Sequence, residues 1–133
     1  MQDFRLLDIE EIQGLFRFYK LVKNSICQFD DFESLINNEG TYATELNRAK
    51  AIMEDFANKL SLPITKLRPL TQDRNEKFKE YEIKTENLRV YFFILPGRGD
   101  IVVLGGKKTK QKKDIKIFRK IKNEYLKFLN LKK

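Results

Sequence analysis

Two apolar runs stand out along the chain. Leu88 to Leu95 and Ile101 to Leu104 are rich in β-branched and aromatic residues, with Pro96, Gly97, Arg98, Gly99 and Asp100 between them. Such runs around a loop of turn-forming residues predict a β-hairpin. Neither run alternates cleanly between apolar and polar, so both faces of the hairpin should be covered, one by helices and the other by a partner, a terminal element or a ligand. Phe78 to Thr85 sets Phe78, Glu80 and Glu82 against Lys79, Tyr81 and Ile83, the pattern of a strand entering the hairpin through a Glu86-Asn87 turn. Earlier, LFRFYKLV after Gly14 alternates around Phe16, Phe18 and Lys20 and predicts a first strand, with a turn at Lys23 to Ser25.

Helical spacing appears three times. Phe29, Phe32, Leu35 and Ile36 predict a short helix ended by Asn37, Asn38 and Gly40. Leu46, Ala49, Met53, Phe56, Ala57 and Leu60 form one apolar face, with Thr41 or Thr44 as cap and Pro63 as the stop. Ile117, Phe118, Ile121, Tyr125, Phe128 and Leu129 predict a last helix capped by Asp114, its opposite face carrying Lys116, Arg119, Lys120, Lys122 and Lys127. Pro69 argues against a regular central strand over Ile64 to Leu70, and Thr71 to Glu76 reads as a polar loop. In residues 1–13, Phe4, Leu7, Ile9 and Ile12 allow either a helical stripe or an extended arm. The expected order, β-α-α-β-β-β-α, is that of a small α+β domain with an antiparallel sheet packed by helices and a basic C-terminal helix. Residues 1–13 are expected to be an N-terminal extension and residues 14–133 a single domain.

Charge sharpens this picture. The 133 residues carry a net charge of +8, but unevenly: residues 1–60 hold 7 basic and 11 acidic residues, and residues 61–133 hold 20 and 8. Within the second half, Lys107, Lys108, Lys110, Lys112 and Lys113 follow Gly105 and Gly106 at the end of a strand. So concentrated a positive site suits a polyphosphate partner, nucleic acid before an acidic protein or a membrane surface. The chain has no His and a single Cys, Cys27, which leaves no internal disulfide, no expected zinc site and no Ser-His or Cys-His nucleophile pair. Acid–base chemistry would fall to Lys, Arg, Tyr, Asp or Glu. The acidic N-terminus does not read as a signal peptide, and no apolar run reaches the length of a membrane span, so a cytoplasmic location is expected.

The order of elements, the hairpin LRVYFF…IVVLGG and the lysine cluster together resemble the RelE/HigB family of toxins from bacterial toxin–antitoxin modules. The resemblance runs from about Gly14 to Leu129. Tyr81-Glu82-Ile83-Lys84 is similar to that family's aromatic-Glu-Leu-Arg strand, Leu88-Arg89-Val90-Tyr91-Phe92 to its next strand, Lys107-Lys108-Thr109 to the Lys-Lys-Thr after the last strand, and Asp114-Ile115 to the start of the final helix. Lys84 stands where an Arg is usual, the Phe after the glycine is absent, and so is the Thr-Pro before the last helix.

The resemblance implies a RelE-like fold and a toxin that cleaves messenger RNA on the ribosome, inhibiting translation without a metal or other cofactor. It also implies a cognate antitoxin, often of helix-turn-helix type. Cleavage of this kind uses the RNA 2′-hydroxyl as nucleophile, so the protein aligns it, neutralises phosphate charge and assists proton movement. Lys84 and Arg89 are the expected phosphate clamps, and one of Lys107 and Lys108 or their neighbours the expected acid or base. Glu82 and Tyr91 are further proton-transfer candidates; Tyr91 or Phe93 could instead stack on a base. Lys110, Lys112, Lys113, Lys116, Arg119 and Lys120 are the expected RNA contacts, and the lysine cluster could equally serve only to tether phosphates. Two other functions fit the same sequence: a ParE-like toxin that poisons gyrase, and a non-catalytic RNA-binding module.

Overall fold

The computed structural model describes residues 2–71 and 73–131. It shows an α+β fold with a six-stranded sheet between two helical layers. In chain order the elements are β1 (Phe4–Asp8), β2 (Phe18–Lys23), α1 (Gln28–Glu39), α2 (Ala43–Ala57), β3 (Leu67–Pro69), β4 (Glu80–Lys84), β5 (Leu88–Leu95), β6 (Gly99–Lys107), a 3-10 turn (Lys108–Lys110) and α3 (Gln111–Phe128). The spatial order is β1-β2-β6-β5-β4-β3, antiparallel throughout except for the parallel β2–β6 pair. Of the described helices, none is long and apolar enough to cross a membrane.

Both faces of the hairpin strands are buried, and the chain's own last helix covers the second. Leu88, Val90 and Phe92 of β5 point to the α1/α2 layer, while Tyr91, Phe93 and Leu95 point to α3. That explains why β5 reads as a nearly continuous apolar run. Phe92 is the hub of the first core, with ring centroids 5.2 Å from Phe18, 5.2 Å from Phe56 and 5.4 Å from Tyr81. On the other side Tyr91 stacks on Phe118 at 5.8 Å. A bulge interrupts β6: Tyr91 faces Leu104 and Phe92 faces Val102, leaving Val103 as the extra residue. Val103 and Leu104 both turn toward α3 as a result.

Several expectations need correction. Of the two alternatives left open for the N-terminal segment, the extended arm is the one observed: it holds β1, an edge strand zipped antiparallel to β2 from Phe4↔Lys23 to Asp8↔Tyr19. Helix α2 stops at Ala57, well before Pro63, because the Ala57 carbonyl accepts the Phe16 N–H at 3.0 Å and the Asn58 side-chain amide donates to the Glu54 carbonyl at 3.0 Å. A Cβ on Gly14 would lie 2.6 Å from that of Ala57, so the chain crosses the helix end at the closest approach glycine allows. Tyr42, not Thr41 or Thr44, occupies the N-cap of α2. Helix α3 begins at Gln111, and Asp114 lies inside its first turn instead of capping it. Pro69 lies on the short edge strand β3, consistent with the argument against a central strand there.

Candidate nucleic-acid interface

The hairpin register decides which cations meet. Lys84 of β4 sits opposite Arg89 of β5, and Arg89 sits opposite Gly106 of β6. All three positions lie on the α3 side of the sheet, the side on which Glu82 pairs with Tyr91 and Glu80 with Phe93. Lys84 is half-buried and makes no ion pair among the described residues. Arg89 is folded back on its own turn, its Nη1 donating to the carbonyls of Thr85 at 2.7 Å and Leu88 at 2.8 Å.

Beneath this pair lies a buried polar group that ties α3 to the sheet. Glu82 is fully buried; its Oε1 accepts from Arg68 at 3.1 Å and its Oε2 from Gln111, the first residue of α3, at 2.7 Å. Asp114, one turn along, is buried with its carboxylate over Gly106, where an added Cβ would lie 2.0 Å from its Oδ2. A side chain at this position would displace the Asp114 carboxylate, so glycine leaves the room that carboxylate occupies. Burial raises the Asp114 pKa, against the opposing pull of the Lys110 and Lys113 charges. The Tyr91 hydroxyl is raised as well, by burial and then by the negative charges of Glu82 and Asp114.

The expected site residues lie in several different settings. Lys84 and Arg89 are adjacent. Lys108 lies on the exposed 3-10 turn, with Lys110, Lys112 and Lys113 exposed at the start of α3 and Lys116 and Lys120 exposed further along it. Lys107 opposes Leu88 and therefore points to the α1 side, where it pairs with Glu39 at 2.9 Å and lies 5.8 Å from the centre of the Tyr42 ring. Tyr91 is fully buried, which removes it as a group that touches substrate, and Glu82 and Phe93 are equally closed to solvent. Arg119 is partly exposed but bonded to Glu80 at 3.0 Å, on the β4 side of α3. Lys122, assigned to the basic outer face, is wholly buried between Glu80 and Glu76 at 3.0 and 3.1 Å and donates to the Phe78 carbonyl at 2.6 Å.

Arg68, Gln111 and Asp114 are the members of the buried polar group that the sequence did not assign to the site. The signal for them was present in part: Glu80 and Glu82 alternate in phase with buried Phe78, so their carboxylates had to meet partners inside. The end of the sheet thus offers a cross-strand cation pair roofed by the N-terminal turn of a helix that carries Lys112 and Lys113. Such an arrangement can hold phosphate oxygens and stabilise added negative charge on them. Comparison with protein-family models, with curated proteins and with solved structures finds no match for the chain.

Proposed function

We propose that this end of the sheet binds the RNA backbone and that the chain is a RelE/HigB-type toxin, cleaving messenger RNA on the ribosome without a metal. The observation that carries the reading is the convergence of Lys84 and Arg89, across one β-ladder, with the lysine-rich turn and N-terminus of α3. The reading matches charge to chemistry. Attack of the 2′-oxygen on phosphorus breaks the bond to the 5′-oxygen and leaves a 2′,3′-cyclic phosphate and a 5′-hydroxyl. The 2′-hydroxyl proton is removed as the bond forms, and a proton is supplied to the departing 5′-oxygen. Lys84 and Arg89 would neutralise the phosphate, Arg89 after releasing its turn carbonyls, while Lys108 or an adjacent α3 lysine would move the proton. A RelE-like fold, a cytoplasmic setting and a cognate antitoxin belong to the same proposal.

A non-catalytic RNA-binding role is the second reading. It is favoured by the burial of Tyr91 and Glu82, which leaves lysines as the proton-transfer groups at the surface. The deciding experiment incubates purified protein with a defined messenger, with and without programmed ribosomes. Ribosome-dependent cuts ending in cyclic phosphate, reduced about a hundredfold in Arg89→Ala and far less in Lys107→Ala, support the toxin reading. RNA binding without cuts supports the second. If growth arrest occurs with intact messenger and trapped gyrase–DNA complexes, both give way to a ParE-like activity.

A further inference from the structure

At the opposite end of the β5–β6 hairpin, Phe16, Phe56, Lys59, Leu60, Ile94 and Asp100 line a cavity of about 310 Å³. We propose that it binds a small organic ammonium compound with an aromatic or alkyl body, the cation on the Asp100 carboxylate and the body against the apolar walls. Asp100 is 3% exposed, and its Oδ2 is buried with no hydrogen-bond partner. Burying a carboxylate with nothing donating to it is costly, so the position is poorly explained by stability. Its backbone is committed elsewhere: the Asp100 N–H donates to the Arg17 carbonyl at 2.9 Å, holding the residue at the β2–β6 junction.

The chain's own donors leave the carboxylate without a partner. Lys59, the cation lining the cavity, lies over the Phe16 ring with its Nζ 5.1 Å from the centroid, and no ion pair joins it to Asp100 among the described residues. Lys59 itself is held with φ at 63°, part of the turn that closes α2. The other walls are carbon, and the rim residues Phe16 and Leu60 are 44% and 55% exposed, so the cavity opens to solvent through apolar side chains. An acceptor without a donor selects a ligand that brings one, and apolar walls select a hydrocarbon body. At the ~30 Å³ occupied by a water molecule, the space holds roughly ten non-hydrogen atoms, the size of a phenylalkylamine. This inference does not rest on the RNA reading, since the cavity and the lysine cluster lie at opposite ends of the hairpin.

Phenethylamine is the probe, titrated at about pH 8, where the Asp100 carboxyl is ionised, into the full chain while backbone amide resonances are followed, beside 2-phenylethanol, which has the same body without the charge. Saturable shifts confined to Phe16, Leu60, Ile94, Gly99 and Asp100 are expected, with binding at least about tenfold weaker for the alcohol and for phenethylamine on Asp100→Asn. RNA binding and cleavage should be unchanged in that variant. Equal affinity for amine and alcohol, unaltered amine binding by Asp100→Asn, or no saturable shift up to about 10 mM would overturn the proposal. The alcohol comparison uses the wild-type chain, so it decides the matter even where the variant fails to fold.

Discussion

The two faces of the sheet share their strands and differ in what they bury. Toward α1 and α2 the core is Phe18, Val22, Val90, Phe92 and Val102 with the helices' own apolar residues. Toward α3 the same strands interleave Tyr91, Phe93 and Leu104 with Glu80 and Glu82, and α3 answers with Lys122, Arg119 and Gln111. The first face is held by apolar area and close packing. The second is conditional, because each buried charge is tolerated only while its partner is present. The helix that carries the exposed lysines is therefore attached through contacts that depend on paired charge. At the edge of the first face, Glu45 plays a different part: it ties α2 to the β4–β5 turn. Burial opposes its ionisation, but donors from Thr85, Asn87 and Leu88 outweigh that and hold its pKa below the usual range.

This contrast can be broken at graded cost. Phe92→Ala should lose about 3–5 kcal/mol in urea unfolding, nearly independent of salt, because it opens a cavity at an aromatic hub. Lys122→Ala should cost about 3–5 kcal/mol by a different route, leaving Glu80 and Glu76 without their cation, and a Lys122→Met/Glu80→Gln double variant should recover much of the loss. A double variant no better than the single would refute the charge-pair account of this face. Glu82→Gln should cost about 1–3 kcal/mol and loosen the first turn of α3, seen as faster amide exchange from Gln111 to Asp114.

The most pH-specific effect belongs to Asp100. Burial raises its pKa to about 7, from 3.8, so the folded chain keeps a proton that the unfolded chain releases. Stability should therefore fall as pH rises from about 4 to 7, by at most about 1.4 kcal/mol per unit, and level off above 7. Asp100→Asn should reduce that slope, the remainder having the sign expected of Asp114, whose carboxyl is also raised by burial; an unchanged slope in the variant would show that Asp100 is not the group that titrates.

Periodicity made most of the elements legible. The hairpin, its entering strand and the three helices follow from runs whose spacing matches their burial. Strand β1 was ambiguous for a physical reason: Phe4 is buried but Leu7 is 37% exposed, and pairing with the backbone of β2, rather than an alternating apolar face, holds the segment in place. Lys122 lies four residues after Phe118 and three before Tyr125, on the apolar stripe by position; its residue type placed it outside. The Lys84–Arg89 pairing was readable from the short turn between their strands. The location of Lys107 was not. Counting by twos from Val102 would set Lys107 beside Arg89, but the extra residue at Val103 reverses the phase and delivers it to the α1 side. A bulge is a property of the pairing of two strands and leaves little trace in either alone.

A lysine enclosed between carboxylates is also a clock. Amine-acylating reagents reach the lysines along the outer side of α3 directly, whereas the Lys122 Nζ is reached when the helix lifts from β4 and β5. The rate at which Lys122 is acylated, relative to exposed Lys120 two positions before it, reports how often the final helix detaches while the rest of the chain stays folded.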